Sequence, residues 1–308
     1  MWLVILGHCI QIVDVNFAEN PLFKVIYLFH MPLFFLISGY FARPRILRQK
    51  VNFLFLSCRR LLMPILTIGT INLILIFYKN NVSVRAFFDA YFILWFIWVL
   101  LECHIFGCLL LLCTNTVMKI VLLFTPLILS VIYPSSIPFG GFFSSAWAFY
   151  LIGTYMQLKT VDSSHFKITL LMLIPVACVC FYFFKPHWYM YYTPLSMCLE
   201  SWGIWLFRTL TALICIPIFL SLVALLPNFK WLTHMGTATL GIYVIQSCVM
   251  VVVIRTIGIV VCQSIWIVVF MSVILYIVFY FTYKCTRIIP LVARIVYGEK
   301  QASITDDK

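Results

Sequence analysis

Two histidines stand inside the first two apolar stretches of this chain. His8 follows Leu3-Val4-Ile5-Leu6-Gly7, and His30 sits in Phe29-His30-Met31-Pro32-Leu33-Phe34-Phe35-Leu36-Ile37-Ser38-Gly39-Tyr40. Ionisable side chains at membrane depth are costly and as a rule functional. An imidazole titrates near neutrality, so it can take a proton from a hydroxyl and later return it. His8 is therefore the first candidate for a general base. His30 is a second candidate catalytic group, suited to positioning a hydroxyl or donating to a developing oxyanion. For both, the alternative is structural: a buried ring bonded to a backbone carbonyl.

Arg59-Arg60 is the next feature. Arg has a planar fork that makes paired hydrogen bonds to phosphate, so the pair suits an anionic cytoplasmic ligand. The alternative is that both side chains snorkel to lipid headgroups. Glu102 and His104 lie inside one apolar run, but two residues apart places them on different helix faces. Glu200 and Arg208 flank Trp202 and Trp205, and either pair at a cavity mouth or mark the membrane boundary. A Gly-x-Ser-x-Gly elbow, a phosphate-binding glycine loop and a His-Glu-x-x-His zinc motif are all missing. The 12 cysteines are scattered singly. Cys178 and Cys180, the closest pair, do not have a zinc spacing, and no metal site is expected.

The elements that must carry these residues are membrane helices. The 308 residues are 64% hydrophobic, 18% aromatic and only 10% charged, with a mean hydropathy of +1.10. A soluble domain is about 25% charged. The expected fold is therefore all-α, a polytopic helical membrane protein. Ten apolar segments stand out, near 1–13, 22–40, 61–78, 91–113, 118–133, 142–157, 166–184, 204–226, 237–254 and 264–283. Residues 51–62 form a partly amphipathic stretch suited to an interfacial helix. About a dozen residues precede Asp14, short of the roughly 20 that a span needs, so the first helix is expected to be truncated at its N-terminus. The net charge of +12 does not call for nucleic acid, because the basic residues fall between apolar runs. Placing Arg43, Arg45, Arg48, Lys50, Arg59 and Arg60 in the cytoplasm puts 15 of the 21 Lys and Arg inside, with both termini.

Leu3-Val4-Ile5-Leu6-Gly7-His8 and the stretch from Phe29 to Tyr40 resemble the bacterial membrane acyltransferase-3 family, in its fucose 4-O-acetylase-like branch. Arg59-Arg60-Leu61-Leu62-Met63-Pro64, Leu94-Trp95-Phe96, Phe149-Tyr150-Leu151-Ile152-Gly153-Thr154-Tyr155 and Thr239-Leu240-Gly241-Ile242-Tyr243-Val244-Ile245-Gln246 match in order. The resemblance implies about ten membrane helices in the bacterial inner membrane. It implies acyl transfer, commonly of acetyl from acetyl-CoA, to exported or cell-surface glycans or their lipid-linked precursors. His8 then stands at the family's proposed catalytic position. A basic residue some ten positions earlier belongs to the same pattern and would precede Met1. Many relatives carry His where this chain has Gln246. Residues 1–298 are expected to form the membrane acyltransferase domain, and 299–308 a short polar tail.

On this reading Arg59 and Arg60 meet the phosphates of acetyl-CoA, His8 is the base, His30 assists it and Trp95 lines the acceptor cavity. The rival readings are a glycan transporter or flippase and an inactive truncated family member. A transporter should show internal repeats and paired broken helices, and neither is legible. A reporter fused near Arg45 should read cytoplasm and one near Asn81 the outside; the reverse at both sites would overturn the charge assignment.

Overall fold

The computed structural model describes residues 1–78, 83–133, 140–156, 163–189, 193–225, 227, 230–256 and 264–299. These residues form helices and their connections, with no strand among them. In chain order the helices are α1 (Trp2–Val13), α2 (Pro21–Gln49), α3 (Val51–Tyr78), α4 (Val84–Phe92), α5 (Trp95–Leu112), α6 (Thr116–Ile132), α7 (Gly141–Tyr155), α8 (Ser163–Phe183), α9 (Leu199–Ala224), α10 (Lys230–Thr237), α11 (Thr239–Thr256), α12 (Ile265–Arg287) and α13 (Pro290–Ile295). Five of them, α2, α3, α5, α9 and α12, are long and apolar enough to cross a membrane. α1, α6, and parts of α8 and α11, are shorter apolar helices. The protein is thus an all-α helical membrane protein, and each of the ten apolar segments coincides with helix.

Local chemistry explains the helix ends. Asn20 caps α2 by accepting from the Leu22 and Phe23 amides, and Pro21 takes the first helical position, where no N–H is missed. Asn115 caps α6 in the same way. Lys50 alone separates α2 from α3, in a left-handed conformation with φ of 51°. α3 then runs unbroken from Val51 through Pro64 to Tyr78, so residues 51–62 are not a separate helix. The stretch read as one segment from 91 to 113 is instead broken at Ile93-Leu94. There Trp98 Nε1 donates to the Tyr91 carbonyl at 3.0 Å, which satisfies one of the acceptors orphaned at the end of α4.

The chain divides into two compact units. The first comprises Met1–Phe17, Phe55–Trp98 and Asn228–Lys308; the second comprises Ala18–Leu54 and Val99–Pro227. In the first unit, α1 packs on α11 and α12, and Trp2 Nε1 donates to Ser272 Oγ of α12 at 2.9 Å. Ile5, Leu6 and Ile10 bury the core face of α1.

In the second unit the dominant packing is α2 against α7. Here Gly39 and Gly153 let two backbones meet: a Cβ at Gly39 would strike the Tyr150 carbonyl, and one at Gly153 the Leu36 carbonyl. Small residues permit such close crossings in membrane bundles. Thr154 Oγ1 donates to the Tyr150 carbonyl at 2.8 Å, and Arg43 Nη1 donates to the Thr154 carbonyl at 3.3 Å. Trp147, Phe149 and Tyr150 are fully buried beside the crossing.

Gly39→Ala and Gly153→Ala should each destabilise the protein by about 1–3 kcal/mol, because the two backbones must separate. Gly203 of α9 has open space at its Cβ position. Gly203→Ala should be neutral or stabilising, by up to about 1 kcal/mol. Thermal unfolding in detergent reads the difference, and equal effects at all three positions would refute the close crossing.

Candidate active site

Four of the five candidate residues belong to the first unit: His8, Arg59, Arg60 and Trp95. His30 belongs to the second.

His8 is half-buried on α1. Its Nδ1 lies 2.9 Å from Oε1 of Gln11, one turn further along the same face. An amide oxygen only accepts, so Nδ1 carries the hydrogen and Nε2 keeps the lone pair. A general base needs this division, with one nitrogen held and the other able to take a proton. The i, i+3 spacing of His8 and Gln11 in an apolar helix is a legible signal, and the motif reading passes over it.

Gln246 stands on α11 in the same unit, 1% exposed. Its Oε1 has no hydrogen-bond partner among the described residues. A buried unsatisfied acceptor costs about 1–3 kcal/mol. Its apolar surroundings on α11 do not predict that.

Arg59 and Arg60 part company. The C-terminal segment folds back on them: Gly298, at φ of 62°, has the Arg59 carbonyl and the Arg60 Cα where a Cβ would stand. Arg59 is half-buried, and its Nη2 donates weakly to the Glu299 carbonyl at 3.5 Å. Arg60 is exposed. Glu299, grouped by composition with the polar tail, is bound into this cluster. It accepts from Arg287 Nε at 2.6 Å and from the Tyr283 hydroxyl at 2.8 Å. Trp95 opens α5, half-buried, with its ring edge-on to Phe96 at 6.3 Å. Phe96 in turn meets Tyr243 of α11 at 5.4 Å.

His30 is 3% exposed, and its Nδ1 donates to the Ile26 carbonyl at 2.7 Å. This is the contact that the structural reading calls for. It also sets the tautomer, since a carbonyl only accepts. The Tyr27 ring packs edge-on at 4.5 Å. Elsewhere in this unit, His104 faces Phe53 at 5.2 Å and Tyr150 at 5.8 Å, while Glu102 is buried on α5. Arg208 does not pair with Glu200. It donates to the Trp188 and Thr193 carbonyls, and Glu200 is exposed with no ion pair among the described residues.

Comparison with known proteins places this arrangement. The chain is similar to the nodulation protein NolL of Sinorhizobium fredii (strain NBRC 101917 / NGR234). The two are 29% identical over 206 residues, covering 58% of this chain and 53% of that protein. It is 49% identical over 51 residues to NolL of Mesorhizobium japonicum (strain LMG 29417 / CECT 9101 / MAFF 303099), covering 15% and 14% of the two chains. The chain thus spans about half the length of the first of these relatives and less of the second. No solved structure matches it. The family model described as "Acyltransferase domain" matches residues 1–284, a stretch that includes His8, His30, Arg59, Arg60 and Trp95, and the chain belongs to that acyltransferase family.

Proposed function

We propose that the chain is an integral membrane O-acyltransferase. It moves an acyl group, acetyl in the simplest case, from acyl-CoA to a hydroxyl of a cell-surface or exported glycan or its lipid-linked precursor. The bilayer is the bacterial cytoplasmic membrane, with both termini inside. The observation that carries the reading is His8, in a family member, with Nδ1–H held by Gln11 and Nε2 left as the basic nitrogen.

The acceptor oxygen attacks the thioester carbonyl carbon as its proton passes to His8 Nε2. The tetrahedral oxyanion collapses, the carbon–sulfur bond breaks, and the departing thiolate recovers the proton from His8. The ring ends neutral, as it began. Gln11 Oε1 steadies the transient imidazolium through Nδ1–H. Arg60, being exposed, is the first cation to meet the donor's phosphates, and Arg59 follows if the Glu299 segment yields. Trp95 is proposed to line the acceptor side of the first unit.

His30 has a narrower role. With Nδ1–H committed to the Ile26 carbonyl, the neutral ring has no second N–H to donate. Positioning a hydroxyl fits that state, and donation to an oxyanion does not.

His8→Ala should accumulate normally and lose about 10²–10⁴-fold in turnover. The measurement is acetyl transfer to surface glycan by membranes holding equal amounts of each variant. Near wild-type turnover would remove His8 from the chemistry. The wild-type rate should also fall as pH drops through the titration of His8, because the protonated ring accepts nothing; a flat profile would contradict the base assignment.

The Arg pair separates binding from topology. Arg60→Ala should raise the apparent KM for acetyl-CoA more than that for the acceptor, and more than Arg59→Ala does. Unchanged donor kinetics in the double variant would leave the pair with a topological role only.

A further inference from the structure

The second unit holds a cavity of about 50 Å³. Its wall includes Tyr27 of α2, Ser145 and Phe149 of α7, Tyr189 after the 3-10 turn Pro186–Trp188, and Arg208 and Thr209 of α9. The space is more than one water molecule needs, and apolar side chains, Leu28, Met31, Pro32 and Phe184 among them, make up much of the rest of the wall.

Arg208 is the only charged side chain in that wall. Its Nη1 donates to the Trp188 carbonyl at 3.2 Å and to the Thr193 carbonyl at 3.0 Å. These two contacts fix the plane of the guanidinium. Its Nη2 is buried and has no partner among the described residues. Nor does any described carboxylate pair with it. The side chain is half-buried, and a guanidinium with a buried N–H and no counter-ion among the described residues is a costly arrangement. Water in the cavity would satisfy the N–H but leave the charge uncompensated.

The nearby cations make the charge excess larger. Lys24, one turn before Tyr27, lies over the Phe181 ring at 5.0 Å, and Lys185 lies over Trp188 at 5.6 Å. Tyr27 precedes Arg43 by 16 residues on the continuous α2, or about 24 Å of helix at about 1.5 Å per residue. The cavity is thus remote from the Arg43–Arg48 cluster and is not one more contact on that basic end.

We propose that this cavity binds an oxyanion, a carboxylate or phosphate group carried by the acyl acceptor. Arg208 supplies the charge and the N–H donors of Nη2, and the Ser145 hydroxyl adds polar surface to the wall; the Thr209 hydroxyl is already given to the Trp205 carbonyl at 2.8 Å. The assignment to the acceptor rests on the acyl-transfer reading; the anion site does not.

The test uses the full chain in nanodiscs of phosphatidylcholine. Thermal unfolding is followed as inorganic phosphate, acetate or chloride is added at constant ionic strength. Phosphate or acetate should raise Tm saturably, by about 2–4 °C near ten times its Kd, and chloride should not. The rise should vanish in Arg208→Gln and shrink in Arg208→Lys, which keeps the charge but cannot hold both loop carbonyls and still present the Nη2 donors. Ser145→Ala, which leaves Arg208 in place, should also weaken it and serves if the Arg208 variants do not accumulate. No rise in the wild type from soluble anions or from an anionic lipid, or the same rise in every variant, would overturn the site. A parallel series in nanodiscs containing phosphatidylglycerol identifies the source. An Arg208-dependent rise there, with none from soluble anions, would assign the cavity to a lipid headgroup and remove the acceptor. Because the readout is stability, anion binding without acetyl transfer would sink the proposed function and leave the site standing.

Discussion

In an apolar surrounding a polar group has no water to fall back on, and it must find its partner in its own helix or in a neighbour. Much of this structure follows from that constraint. Ser38, Thr67, Thr154 and Ser247 each return a hydroxyl to the carbonyl four residues earlier. His30 does the same through Nδ1, and His8 finds Gln11 one turn away. The consequence for chemistry is specific. Once one ring nitrogen is committed to an acceptor, the tautomer of the neutral ring is set, and Nε2 is defined as the basic atom.

Packing imposes the second constraint. Helices in lipid gain little from hydrophobicity towards each other, so close van der Waals fit has to hold them together. The contact of Gly39 with Tyr150 and of Gly153 with Leu36 is the extreme case, with backbone against backbone. It places Thr154 where Arg43 can bond its carbonyl, and so ties the basic end of α2 to α7. In the first unit the C-terminal segment performs a comparable task by different means. Gly298 takes a left-handed turn against Arg59 and Arg60, and Glu299 gathers Arg287 and Tyr283. Two adjacent arginines thereby acquire different exposures.

The polar groups left incompletely satisfied are as informative as the satisfied ones. Burial without a partner is retained only where something offsets its cost. Gln246 Oε1 and Arg208 Nη2 are two such atoms among the described residues, one in each unit. Arg208 combines the deficiency with a charge and a place in the wall of a cavity.

Hydropathy and local spacing belong to the residues themselves, and what depends on them is legible in the sequence. The all-α membrane class, the helical state of all ten apolar segments, and the placing of His8 and His30 inside helices follow from composition and runs of apolar residues. The break at Ile93-Leu94 was not legible, because it depends on the Trp98 ring meeting the Tyr91 carbonyl, and neither was the unbroken course of α3 through Pro64. Nor was the meeting of Gly39 with Gly153, more than a hundred residues apart. The same holds for the loop carbonyls that replace Glu200 as partners of Arg208, and for the unequal exposure of Arg59 and Arg60. In each case the deciding partner is brought in by a distant part of the chain. Only the folded structure says which segments return to the same place.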